Sequence, residues 1–243
     1  MRSWLTPAAD ADREAKIAEV CAVYRTAPER AEQRQRTVST DELTGVQALE
    51  RVAPDLPPRP GQVARREFEY KRHGTCSFLI NFDVVTGQVV CPSSGPTRTE
   101  ADFVAHVQHT VATDPTAPQW HFVVDNLDIH RSESLVRYVA AVAGITEDLG
   151  VKYVRGVLRS KTSRAAFLSD LSHPIVFHYT PKHASWLNQV ELWLSILVRK
   201  LLRRGNFRSV QDLQDQVLAF IAYFNRTMAK PFKWTYQGKP LHA

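Results

Sequence analysis

The stretch FHYTPKHASWLNQVELWLSILVRKLLRRG, Phe177 to Gly205, decides how the chain is read. An apolar strand runs into Pro181, a polar turn follows, and the pattern predicts a long helix from Ser185 to Arg204. Proline fixes its φ and has no N–H to donate, so the strand stops there. The Ser185 hydroxyl is placed to accept the orphan N–H groups of the first helical turn. Leu187, Val190, Leu194, Leu197 and Leu201 recur at three- and four-residue spacing and form one buried stripe. Arg199, Lys200, Arg203 and Arg204 suit the negative helix end, and Gly205 suits the C′ position. Glu191 lies next to Leu187 and Leu194 on the core-facing edge, where a carboxylate is costly unless something pairs with it. A residue that contradicts its own pattern marks a functional site.

Bulk properties narrow the class. With 243 residues, 44% hydrophobic and 23% charged, the chain can build a substantial core and does not read as disordered. No run reaches the roughly 18 apolar residues of a membrane span, and the N-terminus lacks a secretory apolar region, so no membrane partner is expected. Cys21, Cys76 and Cys91 are odd in number and lack C-x-x-C spacing, which speaks against a disulfide framework and against zinc. A cytoplasmic chain is expected. The net charge of +6 favours a polyanionic partner.

Around the opening stretch the elements alternate. An amphipathic helix is expected over residues 10–25, with Ile17, Val20, Cys21 and Tyr24 on one face and a charged linker from Pro28 to Arg36. Thr37 to Leu43 reads as a strand, and Pro54, Pro57, Pro58 and Pro60 make a stiff extended loop. Phe78 to Val85 and Gln88 to Cys91 read as a hairpin turning at Thr86-Gly87. Thr99 and Asp102 form a capping box for a helix that ends before Pro115. Trp120 to Val124 is a buried strand ending at Asp125, Ser132 caps a helix closed by Gly144, and residues 145–172 are polar and basic. A strand at Ile175 to Tyr179 enters the opening helix, and Ser209 with Asp212 starts the last one. This order predicts an α/β fold, a mixed sheet with flanking helices. Ligands of such folds bind at the carboxyl ends of strands, where Asp41 and Asp125 fall, and Glu191 follows the last strand. Three such acids suit Mg²⁺, and two ions about 3.5–4 Å apart can clamp both oxygens of a phosphodiester displacement. A lone Asp after a strand is more often a turn-former or helix cap, and Asp83 competes with Asp41 for the first position.

The residues around the acids carry a resemblance. Val123-Val124-Asp125-Asn126, with His130 beyond it, resembles the second-acid motif of bacterial insertion-sequence transposases related to mariner elements. Tyr179 to Glu191, YTPKHASWLNQVE, resembles their third-acid motif, and Thr40-Asp41-Glu42 the first. The likeness extends through Tyr70 to Thr75 and Trp234 to Tyr236, from about Val38 to Leu241. It implies an RNase H-like fold with an Asp-Asp-Glu triad over 37–243, an insertion at about 145–172, and a separate N-terminal helix and linker over 1–36. The implied activity is Mg²⁺-dependent cleavage of transposon ends and strand transfer into target DNA by a two-metal mechanism, with Mn²⁺ able to substitute. Asp41, Asp125 and Glu191 are then the catalytic metal ligands. Glu42, Asn126, His130 and Asn188 become auxiliaries, with Asn126 and His130 shaping the site and in reach of metal-bound water or phosphate. Lys182, His183, Trp186, Arg199, Lys200, Arg203 and Arg204 become DNA contacts, although Trp186 equally suits core packing. The implied partners are double-stranded DNA and a second copy in a homodimer. The segment 1–36 is too short for the usual end-reading module, so a separate helix-turn-helix protein or upstream frame completes the set, acting at the nucleoid. A catalytically silent DNA-binding descendant and a stand-alone RNase H-like nuclease are the alternatives.

Overall fold

The computed structural model of the chain describes residues 12–65 and 67–236, so the outer ends of the two expected segments, and the likeness beyond Tyr236, lie outside the described residues. In chain order the elements are α1 (Arg13–Glu32), β1 (Arg36–Arg51), β2 (Tyr70–Asp83), β3 (Val89–Gly95), α2 (Glu100–Ala112), β4 (Trp120–Val124), α3 (Glu133–Val142), α4 (Lys161–Leu168), β5 (Ile175–Tyr179), α5 (Gln189–Leu197) and α6 (Val210–Thr227). The sheet order is β3-β2-β1-β4-β5. β3, β2 and β1 are antiparallel neighbours, whereas β1, β4 and β5 run parallel. Parallel neighbours need crossover connections, and α2 and then α3 with α4 supply them. The expected mixed sheet with flanking helices is the architecture found.

Each face of the sheet carries its own core. Phe78, Ile80 and Phe82 of β2 pack with α1, α5 and α6, while Leu79 packs with Phe122, Phe177 and the α2–α4 side. Because both faces are covered, β4 and β5 are apolar or buried at every position. The capping box of Thr99 with Asp102 forms as read, Ser132 and Ser209 cap α3 and α6, and Gly144 takes φ +68° after α3.

Four local readings change. α1 continues through Pro28 to Glu32, where a linker was expected, and Ile17 to Ala27 belong to the same core as the sheet. Burial outweighs the break, and Arg30 donates to the Val23 carbonyl one turn before the proline. The 145–172 segment holds α4, capped by Ser160, and buries Leu158 and Leu168 completely. The opening helix is not continuous. Ser185–Leu187 is a single 3₁₀ turn without a side-chain cap, Asn188 is non-helical at φ −80° and ψ 106°, and α5 ends in a wider turn over Val198–Leu202. Gly205 does not need a left-handed backbone; a Cβ there would lie 2.1 Å from the Phe207 ring.

The hairpin glycine is different. Gly87 has φ +71°, and a Cβ there would lie 2.0 Å from the Lys230 carbonyl carbon. Gly87→Ala should therefore cost about 1–3 kcal/mol, read as a lower urea midpoint at unchanged slope. Gly95→Ala, where nothing lies within 4 Å of the new Cβ, should leave the midpoint in place.

Candidate active site

Strand register brings the first two acids together. The last β1–β4 pair is Ser39 with Val123. Two residues on, Asp41 lies inside β1, which continues to Arg51 rather than ending near it as expected. Asp125 follows the last residue of β4, so the parallel register sets the two side by side. β5 pairs Tyr179 with Val124, and Thr180 donates its N–H to the Val124 carbonyl before the chain turns away. The turn from Pro181 to Asn188 then leads to α5, with Glu191 in its first turn.

Distant residues hold that first turn. Asn188 accepts a hydrogen bond from Ser39 Oγ, and its amide donates to the Thr40 carbonyl at 3.0 Å and to Asp41 Oδ2 at 3.3 Å. Ser39 Oγ accepts the Val190 N–H at 2.8 Å, and Tyr24 accepts the Gln189 N–H at 3.3 Å while donating to the Leu187 carbonyl at 3.0 Å. These are the orphan donors of the helix start, satisfied from β1 and α1 rather than by Ser185. Ser39 and Tyr24 were not legible as site residues, because a cap supplied from another element leaves no local signature.

The electrostatics differ between the two strand acids. The Asp41 carboxyl is raised to about 7, chiefly by burial, with the Glu42 N–H working against the rise and the charges of Glu42, Asp125 and Glu191 adding to it. Burial would also raise Asp125, yet it is held below its ordinary value by His130, the Leu127 N–H and Arg131. His130 is fully buried, which lowers its pKa, but Asp125 at 2.9 Å from Nδ1 and Glu42 at 2.7 Å from Nε2 carry it up to about 9. Both ring nitrogens are therefore occupied, and Phe103 lies against the ring at 4.4 Å. His130 bridges two acids. It does not reach bound water or phosphate as expected, because no face of it is open. Asn126 likewise ties two strand ends, donating to the Thr180 carbonyl while its own carbonyl accepts from Arg131.

Other expected residues separate into near and far. Lys182 and His183 line an open groove with Asp125, Asn126 and Thr180, and both are exposed. Trp186 is 49% exposed with its ring edge-on to Tyr236, so it does not join the core. Arg199, Lys200, Arg203 and Arg204 are exposed but lie about 12–20 Å from Glu191 along the helix. Arg203 lies beside the far end of β1, sharing a hollow with Arg51 and Tyr70. The competing Asp83 is buried at the hairpin, accepts the N–H groups of Val85 and Thr86, and pairs with Val38, three residues back from Asp41. It is a turn-former.

Asp41 is the carboxylate that a cation would relieve, since burial and then three neighbouring acids raise its pKa and, among the described residues, its oxygens receive only the Glu42 N–H and the Asn188 amide. An all-oxygen set suits a hard divalent ion. The acids are near enough to repel but not drawn in: among the described residues, no group of three or more His, Cys, Asp or Glu converges tightly enough to enclose an ion. The donor chemistry fits such an ion, and the side chains would have to close onto it.

A family model described as DDE superfamily endonuclease matches residues 36–214. No curated protein matches the chain. Among solved structures, the Mos1 mariner paired-end complex with Mn superposes with a TM-score of 0.54 at 13% identity, over 92% of this chain and 59% of that one. The corresponding complex with Mg gives 0.50 at 13%, over 92% and 58%. The catalytic domain of Mos1 mariner transposase gives 0.51 at 11%, over 90% and 85%. At these identities the likeness is one of fold, and that fold is RNase H-like. The chain spans less than three fifths of the transposase chains in those complexes.

The His130 bridge sets a pH dependence. A pKa raised from 6.5 to about 9 contributes stability that is complete below 6.5 and is lost as pH rises through 9. In metal-free buffer, urea midpoints of the parent should fall across that window. His130→Gln should lower stability by about 3–5 kcal/mol at neutral pH and should flatten the fall.

Proposed function

The chain belongs to the DDE superfamily of endonucleases, and from that premise we propose that it is the catalytic domain of a transposase. The observation that carries this is the register of Asp41 and Asp125 on adjacent parallel strands, with Glu191 near enough to raise the Asp41 pKa. Transposon-end and target DNA are the proposed substrates, cleavage and strand transfer the proposed reactions. Residues 37–243 form the proposed catalytic unit, with 145–172 as its insertion and α1 as a brace. A second copy and a separate helix-turn-helix module are the proposed partners, at the nucleoid.

Asp41, Asp125 and Glu191 would hold Mg²⁺, with Mn²⁺ able to substitute. When bound, the two ions of the proposed mechanism supply positive charge to the attacking and leaving oxygens of the phosphodiester. The protein's own residues prepare that site. His130, braced by Glu42, keeps Asp125 ionised and aimed. Asn188 orients Asp41 and, with Ser39 and Tyr24, seats the first turn of α5 so that Glu191 approaches from the helix side. Lys182 and His183, in the groove beside Asp125, would receive phosphates, and Trp186 stands next to them. The basic residues 199–204 would grip a more distant part of the duplex. Such contacts position DNA without reading its sequence and weaken with salt.

The test is nicking of supercoiled DNA in Mg²⁺. Asp41→Asn, Asp125→Asn and Glu191→Gln should each fall to the uncatalysed background with an unchanged circular-dichroism spectrum. Parental nicking by Glu191→Gln would overturn the assignment. Asn188→Ala should retain activity reduced by about 10–100-fold, as expected for a residue that only aims a ligand. Joined products from DNA carrying candidate transposon ends would separate transposition from cleavage alone.

A further inference from the structure

The 145–172 segment holds, ahead of α4, a tight turn that the acid site does not use. Val151 and Arg155 form a two-bond bridge at 3.0 and 3.1 Å, closing the turn Lys152-Tyr153-Val154. Its base is stiff: Gly150 and Gly156 have φ +90° and +69°, and a Cβ on Gly150 would lie 2.1 Å from the Arg155 carbonyl oxygen. At the tip Tyr153 takes φ +65°, a left-handed conformation that glycine or asparagine adopts without the strain a bulky side chain meets. Its ring is nonetheless 72% exposed, so packing does not account for it. Two cations bracket the ring, Lys152 Nζ at 5.6 Å and the Arg164 guanidinium at 5.9 Å from its centroid. Arg164 is itself 3% exposed and donates to the Leu158 carbonyl at 2.8 Å and the Arg131 carbonyl at 2.6 Å. Arg131 in turn donates to the carbonyl of Asn126, the neighbour of Asp125. Tyr153 is thus linked to the acid site by three side-chain contacts.

We infer that this tip is a second DNA contact, in which Tyr153 stacks on an unpaired base of the strand leaving the acid site. The inference rests on the reading of that site as a DNA-cutting one. A largely exposed ring with two cations within 6 Å of its centroid suits a base and its phosphate together. Bases inside an intact duplex are already stacked on both sides, so the ring must meet one that has been freed. A merely structural tyrosine would cover Arg164 and gain nothing from DNA.

The experiment uses the full chain in EDTA and two fluorescent probes, a blunt duplex and the same duplex with a short thymine overhang carrying one 2-aminopurine. The parent should bind the overhang probe more tightly and quench the 2-aminopurine. Tyr153→Phe should keep both properties. Tyr153→Ala should bind the overhang probe about 5–150-fold more weakly, matching the blunt one, and should lose the quench. Tyr153→Gly should lose the same binding while its melting temperature stays level or rises, which a structural tyrosine would not allow. A parent without overhang preference, or an alanine variant that keeps it, overturns the inference while blunt-duplex binding leaves the DNA reading intact. Absence of binding to either probe overturns both, and a protein-docking role for the tip would give that result.

Discussion

Asp41, Glu42, Asp125 and Glu191 collect negative charge where the β1–β4 ladder ends, and buried His130 is what makes the collection tolerable. Two of the acids lie directly against its ring nitrogens, so the imidazole stays charged where burial alone would neutralise it. Asp41 receives no such help, and burial with the neighbouring charges raises its pKa. The site is therefore asymmetric before any ion arrives. Asp125 is ionised and fixed, whereas Asp41 gains most from a cation.

Geometry and charge come from different parts of the fold. Parallel pairing of β1 with β4 sets the Asp41–Asp125 alignment, and no side chain at the site is needed for it. Glu191 has no strand register to place it. Its position depends on the Asn188 amide, the Ser39 hydroxyl and the Tyr24 phenol, drawn from three elements. α1 is accordingly a working part of the site, although it precedes every catalytic motif.

The parts legible from sequence are those whose signals are local. Trp120 to Val124 is apolar throughout, Thr99 meets its Asp102 three residues on, and Asp125 and Glu191 sit in motifs of several residues. Where the outcome depended on distant partners, reading along the chain failed. Ser185 has the chemistry of a cap, but the helix begins at Gln189 because Ser39 and Tyr24 satisfy its first donors. Pro28 should end a helix, but the face ending at Ala27 is buried against the sheet. α4 is only eight residues long, with a Ser160–Ser163 box in place of an acidic one, so its segment read as polar loop. The resemblance to mariner-related enzymes is what proposed the triad. It gave His130 a reach to bound water or phosphate as well as a part in shaping the site, and the contacts with Glu42 and Asp125 occupy both ring nitrogens.

The two-sided core has a consequence for how such chains can diverge. Everything that seats Glu191 lies on the α1, α5 and α6 face, while residues 145–172 rest on the opposite one. β5 returns to β4 through its own five-residue ladder, from Ile175 with Trp120 to Tyr179 with Val124. Chain length between the second and third acids is therefore insulated from the third acid's placement. Closing a loop costs only about 0.6 kcal/mol more for each doubling of its length. Lineages can lengthen, shorten or replace that excursion as a cassette, acquiring new surface chemistry beside an unchanged catalytic frame.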